Sequence, residues 1–155
     1  GIQEGTITTM GTDNVPCWRQ HKGGNIWQAH PAIPGGSEVM LPILVTRGVL
    51  KKRITLKKLV EICSYNTAKI IGIYPRKGTI DVGSDADLVI LDMDKEVQVS
   101  NDTLMTDTDF TIYDGWKLRG WPTLTMVRGN VVLEEDQILV KGGIGKIIKA
   151  GRPIL

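Results

Sequence analysis

Apolar and polar positions change their period once along this chain. Up to about residue 72 the apolar side chains recur at helical spacing, and after Tyr74-Pro75 they fall into short β-type runs. Ahead of the first helix, Thr6 to Thr12 is rich in β-branched residues and predicts a strand ending at Asp13. Met40, Leu41, Leu44 and Val45 form a helical stripe. Ser37 is placed as its cap, Glu38 suits the positive end of the dipole, and Pro42 confines the start to the first turn or bends the helix. Thr55 predicts the cap of a second helix with Leu56, Leu59, Val60 and Cys63 on one face, and Asn66 the cap of a short third one closed by Gly72. The strands that follow are Leu88 to Asp92, Val97 to Val99, Leu124 to Val127, Val131 to Leu133 and Ile138 to Val140. Arg128-Gly129-Asn130 is a hairpin turn in which Gly129 and Asn130 both tolerate positive φ. The pattern therefore divides near residue 73 into an α/β part and an all-β part.

The segments between these elements carry their own signals. Asn14 to Gly36 holds three prolines, four glycines and two tryptophans, a loop long enough to argue for function or for packing against another surface. "KGTIDVGSDADLVILD", from Lys77 to Asp92, reads as a corner: Gly78, Gly83 and Ser84-Asp85 turn the chain, and the apolar run Leu88 to Leu91 suits a buried strand. Residues 101 to 122 have weak periodicity and four aromatic side chains, which predicts a segment covering a surface rather than forming a core. The tail from Lys141 to Leu155 is glycine-rich and basic, with the makings of an arm reaching another subunit.

Composition narrows the function classes. At 155 residues and 17.0 kDa, with 41% hydrophobic and 23% charged residues, the chain is globular and sized for one domain or two small ones. Nineteen basic against seventeen acidic side chains leave +2, without the concentrated positive field of a nucleic-acid binder. Lys51-Lys52-Arg53 and Lys57-Lys58 are read as a solvated helix face. No apolar run approaches the ~20 residues that span a bilayer, and the opening Gly-Ile-Gln-Glu-Gly has no signal-peptide character, so the expectation is a soluble, cytoplasmic protein. Cys17 and Cys63 make neither a metal spacing nor a disulfide framework and are read as reduced thiols, Cys63 buried. The two histidines, His21 and His30, stand nine residues apart in the loop with no carboxylate at ligand spacing, and are not read as ligands.

Four stretches, "GTDNVP" (11–16), "IPGGSEVMLPIL" (33–44), "SYNTAKIIGIYPRKGTIDVGSDADLVILD" (64–92) and "MVRGNVVLEE" (126–135), closely resemble the C-terminal third of the hydantoinase and dihydropyrimidinase family of cyclic amidohydrolases. The match is collinear over nearly the whole chain. "YPRKG" followed by "GSDADLVILD" points to the hydantoinase branch, whereas "GSDAD" alone recurs across the wider amidohydrolase superfamily. The resemblance implies an α/β barrel fragment, the last strand and helices of a TIM-like β/α barrel, over residues 1–72. An all-β segment of a small composite β-sandwich would follow over 73–140, and a tail with a possible subunit contact over 141–155. It implies a fragment of a longer enzyme, since the chain begins mid-element without an initiator methionine. The family's His-x-His pair, carboxylated lysine and two further histidines all lie upstream of the matched region, so this chain alone would be inactive. The parent would act on a small cyclic amide or ureide with two divalent metal ions, zinc foremost, as a homo-oligomer, a dimer or a tetramer, with neither nucleic acid nor membrane as partner.

Residue by residue, Asp13 matches the family's aspartate that binds one metal and carries the proton between attacking hydroxide and leaving nitrogen. Catalytic groups of such barrels sit at the carboxyl ends of strands, where Asp13 falls. The loop from Pro31 to Gly36 matches the segment whose main chain holds the ring, which puts Ala32, Ile33, Gly35 and Gly36 at the substrate, the glycines permitting close approach. Two departures stand out. Asn14 occupies a position where the family often has histidine, which leaves the substrate subclass open. Ala32 stands where many dihydropyrimidinases have asparagine, which removes a side-chain contact. Asn66 and Lys69 look structural, and Trp18 and Trp27 are candidates for the mouth of the site. Two alternatives stay open: a non-catalytic assembly module of the same fold, and an allantoinase-like or dihydroorotase-like hydrolase.

Overall fold

In the computed structural model, residues 1–31 and 33–154 are described. Helix α1, Gly36–Ile43, runs into a π-helical turn, Leu44–Val49. Its first residue is Gly36, preceded by Gly35 at φ 85°, so Ser37 lies inside the first turn and does not cap it. Pro42 is carried within the helix, in its last turn. Thr55 does cap the next helix, its hydroxyl accepting the Lys58 amide at 3.0 Å. From there α2 (Leu56–Val60), a π-helical turn (Glu61–Tyr65) and α3 (Asn66–Ile71) run on without leaving right-handed dihedrals, until Gly72 closes them at φ 79°. Asn66 is therefore mid-helix, and its side-chain amide donates instead to the Thr8 carbonyl at 2.8 Å.

The buried face of this helix also differs from the expected one. Leu59, Ile62 and Ala68 are buried, while Leu56 and Val60 are half exposed and Cys63 is only partly covered. The π-helical turn advances the chain by an extra residue and rotates the stripe. Residues 6–12 form no strand, and Thr6 lies in a bend, its amide bonded back to the Gly1 carbonyl at 3.0 Å. They attach to this helix through the Met10 N–H on the Ile62 carbonyl at 3.0 Å and the Asn66 bond to Thr8, since no neighbouring strand offers a ladder. Of the two basic clusters, Lys58 pairs with Glu61 at 2.6 Å on the helix surface, whereas Lys51–Arg53 falls in a turn.

After the Lys77–Asp87 corner the chain builds one antiparallel sheet in the order β1-β2-β3-β4, from Leu88–Gln98, Lys117–Val127, Asn130–Glu134 and Gln137–Ile138. The two expected strands at 88–92 and 97–99 are one long β1 with irregularities after Ile90 and Asp92, the first opposite Pro122, which cannot donate to the ladder. The hairpin forms as expected, but its positive φ values fall on Arg128 (47°) and Gly129 (79°), with Asn130 already in β3. Leu139 and Val140 lie beyond β4.

The largest departure concerns residues 101–122. They contribute Leu104, Phe110, Leu118 and Trp121 to the interior, and from Lys117 they enter β2, the central strand. Val39 of α1 joins Val99, Leu104, Leu118 and Trp121 in one cluster, with Ile43, Val97 and Tyr113 packed against it. Each large side chain removed from water contributes about 1.5–3 kcal/mol, which explains why a segment of weak periodicity is nonetheless fixed. The Trp121 indole N–H donates to the Leu118 carbonyl at 2.8 Å, so the ring is buried without an orphaned donor.

Among the described residues β1 pairs only with β2. Its run Leu88 to Leu91 is not buried: Val89 and Ile90 are about half exposed, and with Met40, Leu56 and Cys63 they line an apolar groove of about 1330 Å³. The tail beyond Val140 has no regular secondary structure and returns to the helix end, the Gly151 N–H donating to the Gly72 carbonyl at 2.7 Å and the Ile154 N–H to the Lys69 carbonyl at 3.0 Å.

The corner itself is an ion network. Lys77 lies between Asp85, at 3.0 Å, and Asp87; Arg76 reaches Asp85 at 2.9 Å, and Asp87 accepts the Arg128 amide at 2.8 Å. Bonds to Lys77 and Arg76 lower the Asp85 pKa. Partial burial pulls the Lys77 pKa down, but Asp87 and Asp85 together outweigh it and raise it. A lowered carboxylate stabilises above its unfolded value and loses that stabilisation as pH falls through its native one; a raised ammonium stabilises below its unfolded value and loses it as pH rises. The urea midpoint is therefore expected to be flat near neutrality and to fall below pH ~4 and above pH ~10. Asp85→Asn should lower the midpoint at pH 7 and have a progressively smaller effect as the pH falls below ~4 through the lowered native value; an equal loss at every pH would refute the assignment.

Candidate functional site

Asp13, which follows residues 6–12, lies in the left-handed region at φ 47°, a conformation that aspartate tolerates better than most residues, and it is exposed. Around it the backbone is fastened locally. The Asn14 amide donates to the Thr12 hydroxyl at 3.3 Å, and Asn14 forms a parallel bridge with Ile33. The Asn14 side-chain oxygen accepts the Gly36 amide at 2.9 Å, which satisfies one of the donors left open at the start of α1. Through these contacts Asp13, Ile33, Gly35 and Gly36, residues 20 or more positions apart, meet at one place. Ala32, named with them from the sequence, lies outside the described residues.

The loop is held from behind by a segment that sequence reasoning left on the surface. Thr111 donates its hydroxyl to the Pro34 carbonyl at 3.3 Å, and Pro34, Gly35 and Gly36 are all buried. Glu38 in the first turn of α1 accepts the Met105 amide at 2.8 Å and the Thr106 hydroxyl at 2.6 Å, tying residues 104–106 to the same helix end. A Cβ on Gly35 would stand 2.8 Å from the Leu104 side chain and 3.0 Å from the Thr111 hydroxyl. Asn14, Glu38 and Thr111 are thus the residues missed as site supports. Glu38 had a signal as a first-turn acid, and Asn14 one as a departure from the family pattern; Thr111 had none, because its partner is 77 positions away.

The remaining candidates separate from this place. The Trp18 amide donates to His21 Nδ1 at 3.4 Å and the His30 amide to the His21 carbonyl at 3.0 Å, so both histidines fasten the loop. Trp27 is almost fully exposed and Trp18 about half. Cys17, not Cys63, is the buried thiol, packed against Phe110; burial pushes the Cys63 thiol above its ordinary pKa, away from nucleophilic use. Lys69 stands 5.4 Å over the Tyr65 ring, and Tyr65 meets Tyr74 edge-on at 5.2 Å, contacts of packing. Among the described residues no three His, Cys, Asp or Glu side chains converge as a metal site requires, and no helix is long and apolar enough to cross a membrane.

Because Gly35 sits at φ 85° against Leu104 and Thr111, Gly35→Ala is expected to lower stability by about 2–4 kcal/mol, the sum of a left-handed side chain and an overpacked contact. Equilibrium denaturation checks this. A loss under about 0.5 kcal/mol would mean that the loop is not clamped as described.

Comparison with known proteins gives one consistent picture. Residues 1–132 match the model of the amidohydrolase family. An L-hydantoinase of Paenarthrobacter aurescens is 39% identical over 155 residues, 95% of this chain and 32% of that protein. A dihydroorotase of Pyrococcus furiosus is 40% identical over 146 residues, 94% of this chain and 33% of that protein. A crystal structure of a D-hydantoinase superposes with a TM-score of 0.92 at 35% identity, over 97% of this chain and 33% of that one. The chain spans about a third of the length of the relatives it matches. With residues 1–132 matching the family model and 97% of its own length superposing on part of a D-hydantoinase, this chain belongs to the amidohydrolase family.

Proposed function

We propose that this chain is the C-terminal third of a hydrolase that opens the ring amide of hydantoins or dihydropyrimidines. Residues 1–72 would be the closing part of its β/α barrel, 73–140 its β-sandwich segment and 141–155 a tail at a subunit contact of a dimer or tetramer. The observation that carries the reading is the meeting of Asp13 with the Ile33–Gly36 loop through Asn14. It sets an exposed carboxylate beside the main-chain segment that the resemblance assigns to the ring, Ile33 being its exposed member, and relatives named L-hydantoinase and D-hydantoinase support the substrate class.

In this reading Asp13 is the catalytic residue and Ile33, Gly35 and Gly36 belong to the segment that meets the ring; Ala32, named with them from the sequence, lies outside the described residues. One Asp13 oxygen takes the proton of the attacking water, and the same carboxylate delivers it to the ring nitrogen as the C–N bond breaks, which avoids expelling an amide anion. The family reading also implies two divalent ions, zinc foremost, which would make that water a stronger nucleophile. Asp13 could offer one ligand. Since no three ligating side chains gather among the described residues, this chain's own residues do not fit a two-metal centre, and no step here is routed through one.

Asp13→Asn in the full-length protein is expected to lower kcat on hydantoin or dihydrouracil about 10²- to 10⁴-fold while the thermal midpoint stays within a few degrees, because the proton carrier is lost at constant volume. Retention of most of the rate would remove Asp13 from the mechanism. The 155-residue chain by itself is expected to turn over neither substrate.

A further inference from the structure

Asn14 touches both halves of the site. Its backbone bridges to Ile33, its amide is bonded to Thr12 on the other side of Asp13, and its side-chain oxygen accepts the Gly36 N–H at 2.9 Å. Gly36 has little room to shift, since a Cβ there would already lie 3.3 Å from the Thr12 side chain. Asp13 itself is held in a left-handed conformation between two residues fixed by these bonds, so the direction of its carboxylate depends on them.

We propose that Asn14 is a positioning residue for ring binding. Its Oδ1, by accepting the Gly36 N–H, fixes the distance between the Asp13 backbone and the Ile33–Gly36 loop. It also occupies that amide, which withdraws the Gly36 N–H from main-chain recognition of the ring. The inference rests on the hydrolase reading above and deepens it. Asn14 touches no reacting atom and acts through the loop. Replacing it by alanine frees the Gly36 amide and loosens the loop, so the ring meets a less ordered partner and binds less well before any bond is broken. A residue that only stabilised the fold would instead reduce the amount of active protein, which lowers apparent kcat and leaves KM unchanged.

The test uses the full-length protein carrying this chain, with hydantoin and dihydrouracil as substrates and hydrogen exchange read at the Gly36 amide. Asn14→Ala is expected to speed exchange at Gly36 at least tenfold, to leave the Met40 amide within threefold, and to lower kcat/KM at least tenfold with most of the change in KM. Asn14→Asp, which keeps an acceptor oxygen at the same reach, should bring both exchange and KM back to within about threefold of wild type. Unchanged exchange at Gly36 in the alanine variant overturns the proposal, because the bond would not be holding the loop. Faster exchange with an unaltered KM overturns it too, leaving Asn14 a purely structural residue. If the wild-type protein opens neither ring, the hydrolase reading itself has failed and this inference falls with it, an outcome visible before any variant is made.

Discussion

The seating of the first helix on the central strand is the contact on which the rest of the structure depends. Gly120 in β2 is at φ 82°, and a Cβ there would stand 2.4 Å from a Val45 methyl carbon, so no other residue lets the two backbones come this close. One residue away, the Arg119 amide donates to the Thr46 hydroxyl at 2.7 Å, and that hydroxyl donates back to the Arg119 carbonyl at 3.2 Å. A helix turn is thereby bonded to a strand that already has β1 on one edge and β3 on the other. Packing and hydrogen bonding agree at this point, and the shared cluster of Val39, Val99, Leu104, Leu118 and Trp121 lies beside it.

Once α1 is fixed against β2, the place of the candidate site follows. The Ile33–Gly36 loop enters α1 directly, so its height above the sheet is that of the helix. Residues 104–113 are bound to the same helix end by Glu38 and Thr111, and the segment carrying Asp13 is drawn in by Asn14 on one side and, through Met10 and Asn66, by the second π-helical turn and α3. An exposed carboxylate on a chain without a sheet ladder thus acquires a defined position from a few single side-chain and backbone bonds. The arrangement is economical in residues and sensitive to each of them, since a loop fastened by single hydrogen bonds has no ladder to fall back on.

The same seating leaves one side open. Helix α2 and strand β1 both line the groove, with Met40, Leu56, Val60, Cys63, Val89 and Ile90 along it, and among the described residues no strand pairs with the other edge of β1. Apolar side chains at half exposure along an edge strand are poorly placed in water. The chain spans about a third of its relatives' length, and the groove shows where this third is least self-sufficient.

Local chemistry was written plainly into the sequence. The Thr55 cap, the Gly72 stop, the turn at Arg128-Gly129 and the change of period after Tyr74-Pro75 each depend on neighbours within a few positions, and each is present in the structure. The motifs from Gly11 to Glu135 carried the family, because a motif records contacts without requiring that they be seen. Other features were decided only in three dimensions. Residues 101–122 lack periodicity because their burial alternates between a helix end and a sheet, so they read as surface and fold as core. The stripe on α2 and α3 is turned by a π-helical insertion that composition does not announce, and Leu88 to Leu91 looks buried in sequence yet lies at an edge, since the number of neighbouring strands is not a local property. Asp13 could be named from its motif, but the bond from Asn14 to Gly36 that orients its surroundings joins positions 22 apart, and only the packing of α1 on β2 brings them within reach.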